Sequence, residues 1–138
     1  MDMIIWQDNY SVGNSLLDQQ HKALIDKINI LFEKSGDYFF VGQTIQTMVE
    51  YACYHFIDEE KYLTENAYPD LKSQKAHQKL FMEKVHYYST RFQTDIKHFD
   101  TMEMLNFLSE WCVNHIVVEN GKFKEYFQNK SLQPVSNN

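Results

Sequence analysis

Apolar residues recur at steps of three and four along most of the chain, a period that predicts amphipathic helices. Leu17, His21, Leu24, Ile28 and Leu31 form one stripe in a helix expected over residues 16–34, which Ser35-Gly36-Asp37 stops. A second helix is expected over residues 41–66, with Met48, Ala52, Phe56 and Leu63 on its inner face. Pro69 disfavours helix at the residue before it, and Asp70 is placed to cap a third helix. That helix carries Leu71, Gln74, Gln78, Phe81, Val85 and Tyr88 inward and should end between residues 94 and 99. A fourth, over residues 101–128 and capped by Asp100 or Thr101, puts Met104, Leu108, Trp111, His115 and Val118 on one face. Residues 1–16 lack a helical period and read as an arm anchored by Trp6; residues 129–138 read as a loose tail. Short connections between four such helices predict an all-α fold, an antiparallel up-and-down four-helix bundle with an N-terminal arm. It is read as one domain over residues 1–138.

Composition agrees with helices and narrows the partners. Four Gly and two Pro in 138 residues leave little material for many tight turns. A net charge of −6 with no long basic run speaks against nucleic acid and anionic membrane as partners. No run approaches a membrane-spanning helix, and Met1-Asp2-Met3-Ile4-Ile5-Trp6 does not open a secretory signal, so a cytoplasmic protein is expected. Cys53 and Cys112 fall inside helical patterns and read as free buried thiols of a reducing compartment.

The chemistry lies in polar residues on apolar stripes. His55 and Glu59 stand four residues apart and project from one helical face, the face of Met48, Ala52, Phe56 and Leu63. Burying a carboxylate unpaired is expensive, so Glu59 needs a metal, a cation or a hydrogen-bond network. His21 and His115 face inward from two other helices, and bundles build metal sites from facing side chains in this way. His86 and His98 read as exposed, Asp58, Glu60 and Glu65 as a solvated face, and Phe56 and Trp111 as core.

Several stretches carry a resemblance: Trp6 followed by Ser11-Val12-Gly13, then Asp18-Gln19-Gln20-His21-Lys22-Ala23-Leu24-Ile25, His55-Phe56-Ile57-Asp58-Glu59-Glu60, Tyr68-Pro69-Asp70-Leu71 and Trp111-Cys112-Val113-Asn114-His115-Ile116. In order and spacing they resemble the hemerythrin family, most closely its bacterial members. The resemblance implies a four-helix bundle around a non-haem di-iron centre that binds O2 reversibly. It implies that His21 and His55 hold one iron, that Glu59 bridges, and that His115 is one of three His ligands of the second iron.

The rest of the implied ligand set is altered. The HxxxH pair expected on the third helix aligns with Gln74 and Gln78, and the bridging Asp expected five residues after His115 is Asn120. A one-residue slip would bring His77 inward instead, and a local shift would bring in Glu119. Amides are weaker ligands for iron or zinc than imidazole or carboxylate, and they remove charge that would offset a second cation. Three outcomes stay open: two irons; one iron or zinc at His21, His55 and Glu59 with His115 nearby; or a metal-free core in which the amides satisfy the others. The function implied is binding of O2 or NO as carrier, store or sensor, not catalysis. The alternative is a metal-free or one-metal bundle acting as an interaction module. Redox catalysis, such as peroxide or NO reduction, ranks last, because metal ligands alone do not specify a reaction.

Overall fold

The computed structural model describes residues 3–132, and among them every regular element is helical. The chain runs through α1 (Ser15–Glu33), α2 (Tyr38–Glu65), α3 (Leu71–Thr94) and α4 (Thr101–Asn114), a single π turn (His115–Glu119) and α5 (Asn120–Leu132). α4, the π turn and α5 form one continuous rod, so the architecture is the expected four-helix bundle. α1 packs on α2 and α4, and α2 on α3. Phe81 against Phe107 and Trp111, and Tyr88 against Phe107, close the seam between α3 and α4. No helix among the described residues is long and apolar enough to cross a membrane.

Local chemistry sets the helix ends. Asn14, Asp37 and Asp100 each accept a hydrogen bond from the backbone N–H three residues on, which satisfies an otherwise orphaned donor. The cap at Asp37 starts α2 at Tyr38, earlier than residue 41, where the apolar stripe begins. Asp70 stands before α3, but its side chain makes no capping bond. The last helix continues to Leu132, so residues 129–132 are helical and do not begin a tail; 133–138 lie outside the described residues.

The arm is held by α1. Asn29 clasps Ile4 through both backbone groups, accepting from its N–H at 2.9 Å and donating to its carbonyl at 2.8 Å. Ile4 enters the core, whereas Trp6 lies half-buried against Tyr10 and under Lys22. Ile4 is thus the more deeply buried anchor, and Trp6 packs half-buried against the same core cluster. Asp18 accepts from the N–H of Val12 at 2.8 Å and from the Ser11 hydroxyl, fixing the turn that delivers Val12 to the core.

α2 ends in a two-bond reversal. Tyr68 N–H donates to the Leu63 carbonyl at 2.9 Å and Ala67 N–H to the Thr64 carbonyl at 3.2 Å, while Tyr68 packs in one cluster with Leu63. This Schellman arrangement needs a left-handed residue, and Ala67 supplies it at φ 54° where glycine would carry no penalty.

The π turn changes the last register. In a continuous α-helix Val118 would lie inward, three residues from His115, and Asn120 would be rotated well away from it. One wide turn moves Asn120 onto the His115 face, fully buried, and leaves Val118 47% exposed, contrary to the reading from period. The same turn leaves Glu119 outside, paired with Lys122.

The core is divided. A large apolar cluster runs from Ile4 to Ile116, and a smaller one of Val12, Leu17, Leu63 and Phe123 lies apart from it. In the chain, the buried residues His21, Glu59 and Asn120 each fall between members of the two clusters.

Two stability measurements test this packing. Ala67→Gly should raise Tm by a few degrees, since it removes about 1 kcal/mol of left-handed strain; an unchanged or lower Tm would count against the reversal. Gly42 lets α2 approach α3, because a Cβ there would sit 2.6 Å from the Phe92 ring. Gly42→Ala should therefore lower Tm, against its helix propensity, and should raise it in a Phe92→Ala background.

Candidate metal centre

Four helical segments each send polar side chains into the layer between the clusters: His21 from α1, His55 and Glu59 from α2, Gln74 and Gln78 from α3, and His115 with Asn120 from either end of the π turn. All seven are buried. One donor atom each from His21, His55, Glu59 and His115 lie within 4.8 Å of one another. His55 Nε2 is 3.1 Å from His21 Nε2, 3.3 Å from His115 Nε2 and 3.2 Å from Glu59 Oε2. His115 Nε2 is 3.0 Å and His21 Nε2 3.8 Å from the same oxygen.

The outer contacts determine what these atoms offer. Asp58 can only accept, so Gln20 turns its Nε2 toward it, at 2.7 Å, and leaves Oε1 2.8 Å from His55 Nδ1. An amide oxygen cannot donate, so His55 Nδ1 carries a proton and Nε2 is turned toward Glu59 Oε2. The two atoms stand 3.2 Å apart, a spacing that a proton or a shared cation between them makes favourable. Asp58 is thus a half-buried partner of this relay and not part of a solvated face. Neither Gln20 nor Asp58 follows from the apolar stripe; the signal was their place beside His21 and Glu59 in the stretches that carry the resemblance.

The α3 side is different. Gln74 and Gln78 do face inward, and the slip that would replace them with His77 does not occur. Gln78 Nε2 donates to Glu59 Oε1 at 2.9 Å, and Gln74 Nε2 to the Glu119 carbonyl at 2.7 Å. His77 lies half-buried outside the cluster, with its ring stacked on those of His115 and Trp111 at 5.1 Å and 4.7 Å. Phe56 covers the layer on the large-cluster side, 5.6 Å from the His55 ring and 6.0 Å from the His115 ring. His86 and His98 are exposed, as expected from sequence; Cys112 is buried but Cys53 is exposed, which corrects the reading of both as buried thiols. Burial pushes the Cys112 thiol up to about 12, so it is inert at neutral pH.

Burial also sets the charges. It drives the His115 imidazole down to about 4, against the pull of Glu59, and lowers His21 as well. Burial alone would raise the Glu59 carboxyl, but the charge and hydrogen bond of His115 and the hydrogen bonds of His21 and His55 outweigh it and hold it well below the usual range. At neutral pH His21 and His115 are therefore neutral imidazoles beside one carboxylate, the kind of donors that iron or zinc prefers.

A family model described as the hemerythrin HHE cation binding domain matches residues 12–127. The chain belongs to the hemerythrin family. A bacteriohemerythrin of Stenotrophomonas maltophilia is 34% identical over 118 residues, 84% of this chain and 76% of that protein. One from Clostridium acetobutylicum is 27% identical over 127 residues, 88% of this chain and 98% of that protein. A crystal structure of wild-type hemerythrin shares the fold, with a TM-score of 0.80 at 22% identity over 91% of this chain and 95% of that one. Within this hemerythrin bundle, His21, His55, Glu59 and His115 form a donor set that fits a cation, whereas Gln74 and Gln78 point amide N–H groups at other acceptors.

The linkage gives a sign for pH. The unfolded chain protonates its histidines near pH 6.5 and the fold resists His115 protonation to about 4, so the unfolded state binds more protons between them. Stability of chelated protein should therefore fall as pH drops from about 6.5 toward 4, by about 3 kcal/mol from His115 alone, with Glu59 adding to the loss at lower pH. Melting curves in EDTA test this; a Tm flat from pH 7 to 4 would refute the buried neutral imidazole.

Proposed function

We propose that this chain, acting as a single domain of residues 1–138 in the cytoplasm, binds O2 or NO at non-haem iron, as a carrier, store or sensor and not as an enzyme. The iron is held by His21, His55, Glu59 and His115 in an altered, incomplete form of a two-ion centre. The observation that carries the reading is the convergence of these four donors in a layer from which water is excluded. Family membership supports iron and a diatomic ligand over other cations and cargoes. Zinc would fit the same donors but supplies no redox chemistry.

Iron bound there supplies the one-electron chemistry on which binding of O2 or NO draws. The protein supplies the rest. Asp58 and Gln20 hold His55 in one tautomer and orientation, as partners of metal-binding histidines do. Phe56, Trp111 and Ile116, all buried beside the layer, keep it dry and so limit loss of a reactive ligand to water.

A second reading, a metal-free bundle serving as an interaction module, is favoured by the bonds that Gln78 and Asn120 make to Glu59. One series separates the two. Anaerobically prepared ferrous protein should show a higher Tm than chelated protein, because a ligand bound only to the folded state stabilises it. It should also develop a near-ultraviolet or visible charge-transfer band on exposure to NO or O2, and lose it in Glu59→Gln. Unchanged melting with iron would favour the module, and a Tm rise with no gas-dependent band would remove the gas-binding function.

A further inference from the structure

Asn120 gives the layer a fifth position. Its Nδ2 lies 3.0 Å from His21 Nε2, 3.2 Å from His115 Nε2 and 3.2 Å from Glu59 Oε2. His55 Nε2 lies 3.1, 3.3 and 3.2 Å from the same three atoms. Two separate atoms, each equally far from one triangle of donors, stand on its opposite faces. They cap a triangle of His21, His115 and Glu59 whose edges are unequal, 3.0 Å from Glu59 to His115 and 3.8 Å from Glu59 to His21, so the five atoms make an irregular five-cornered cage. Two donors that meet a cation at right angles lie about 1.4 bond lengths apart, so these apex-to-base spacings suit bonds of about 2.2 Å, close to those of borderline dications.

The amide's chemistry decides which of its atoms faces the centre. An amide nitrogen does not ligate, and an amide oxygen does. Asn120 Oδ1 is buried with no hydrogen-bond partner, and half a turn of the amide exchanges it with Nδ2. On the α3 side, the Gln78 N–H occupies Glu59 Oε1, the oxygen a bridging carboxylate would give to a second cation. Charge argues the same way. Glu59 is the one fully buried carboxylate among the described residues, so a single dication leaves the layer with one net positive charge and two would leave three.

We propose that the layer is a one-cation, five-donor cage. Its donors are Nε2 of His21, His55 and His115, Oε2 of Glu59 and, once the amide turns, Oδ1 of Asn120, with the Gln78 amide standing in for a second cation. This rests on the metal-binding reading above and assigns its count and a donor beyond the four-residue cluster.

The test titrates the chelated full-length chain with Co2+, counting metal after desalting and recording the visible d–d spectrum. One cobalt per chain is expected, with the absorption of a five-coordinate ion. Asn120→Ala should keep one cobalt, bind it about tenfold more weakly, and show the more intense spectrum of four donors. Asn120→Asp, checked for helicity by circular dichroism, should hold one cobalt about tenfold more tightly. Gln74→His with Gln78→His should admit a second ion. Two cobalts in the unaltered chain would overturn the one-cation cage and leave the gas-binding reading intact. A spectrum and affinity unchanged in both Asn120 variants would overturn the fifth donor. No bound cobalt would overturn the cage, and a cage that fills with iron without responding to O2 or NO would remove the function alone.

Discussion

One buried carboxylate sets the terms for this bundle. Glu59 is enclosed in the core among imidazoles, amides and apolar side chains, and no lysine or arginine among the described residues reaches it. A carboxylate so placed is strongly destabilising unless its charge is met by hydrogen-bond donors, protonated imidazole or a metal. Around it stand three histidines, Gln78 and Asn120, drawn from every helix of the bundle. The polar layer is therefore a cross-brace as well as a site. It links all the helices at one level and divides the apolar packing into two clusters.

The irregular features of the fold follow from serving this layer. The π turn gives up regular helix geometry over His115–Glu119, yet it brings His115 and Asn120, five residues apart, onto one face. Gln74 helps to hold that turn by donating to the Glu119 carbonyl, so an α3 residue that offers no obvious ligand supports the geometry of α5. The stack of His77 on His115 and Trp111 presses on the same element from the α3 side.

The two halves of the layer differ in character. The α1–α2 half is built for a cation, with His55 held in one tautomer by the Gln20 and Asp58 relay. The α3 half is built of amides whose N–H groups already have acceptors. Such a division keeps the inward shape of the layer while lowering the positive charge it can accept.

The sequence by itself determined the four helices, their inward faces and the four residues that meet at the cluster. Each depends on period and residue type, which local chemistry enforces: a stripe at steps of three and four must turn inward, and His21, His55, Glu59 and His115 ride on such stripes. Tertiary structure alone decided the rest. A π turn has no local signature in His115-Ile116-Val117-Val118-Glu119, since it is stable only where Asn120 gains buried partners, so the α-helical period misplaced Val118. Gln20 and Asp58 became partners because α1 and α2 dock in one register, and Ile4 joined Trp6 in holding the arm because Asn29 lies across from it. Cys53 is exposed because it falls between stripes, a matter of helix rotation that composition cannot fix. Spacing along a chain fixes faces; only packing decides which atoms on those faces meet and how many cations they can share.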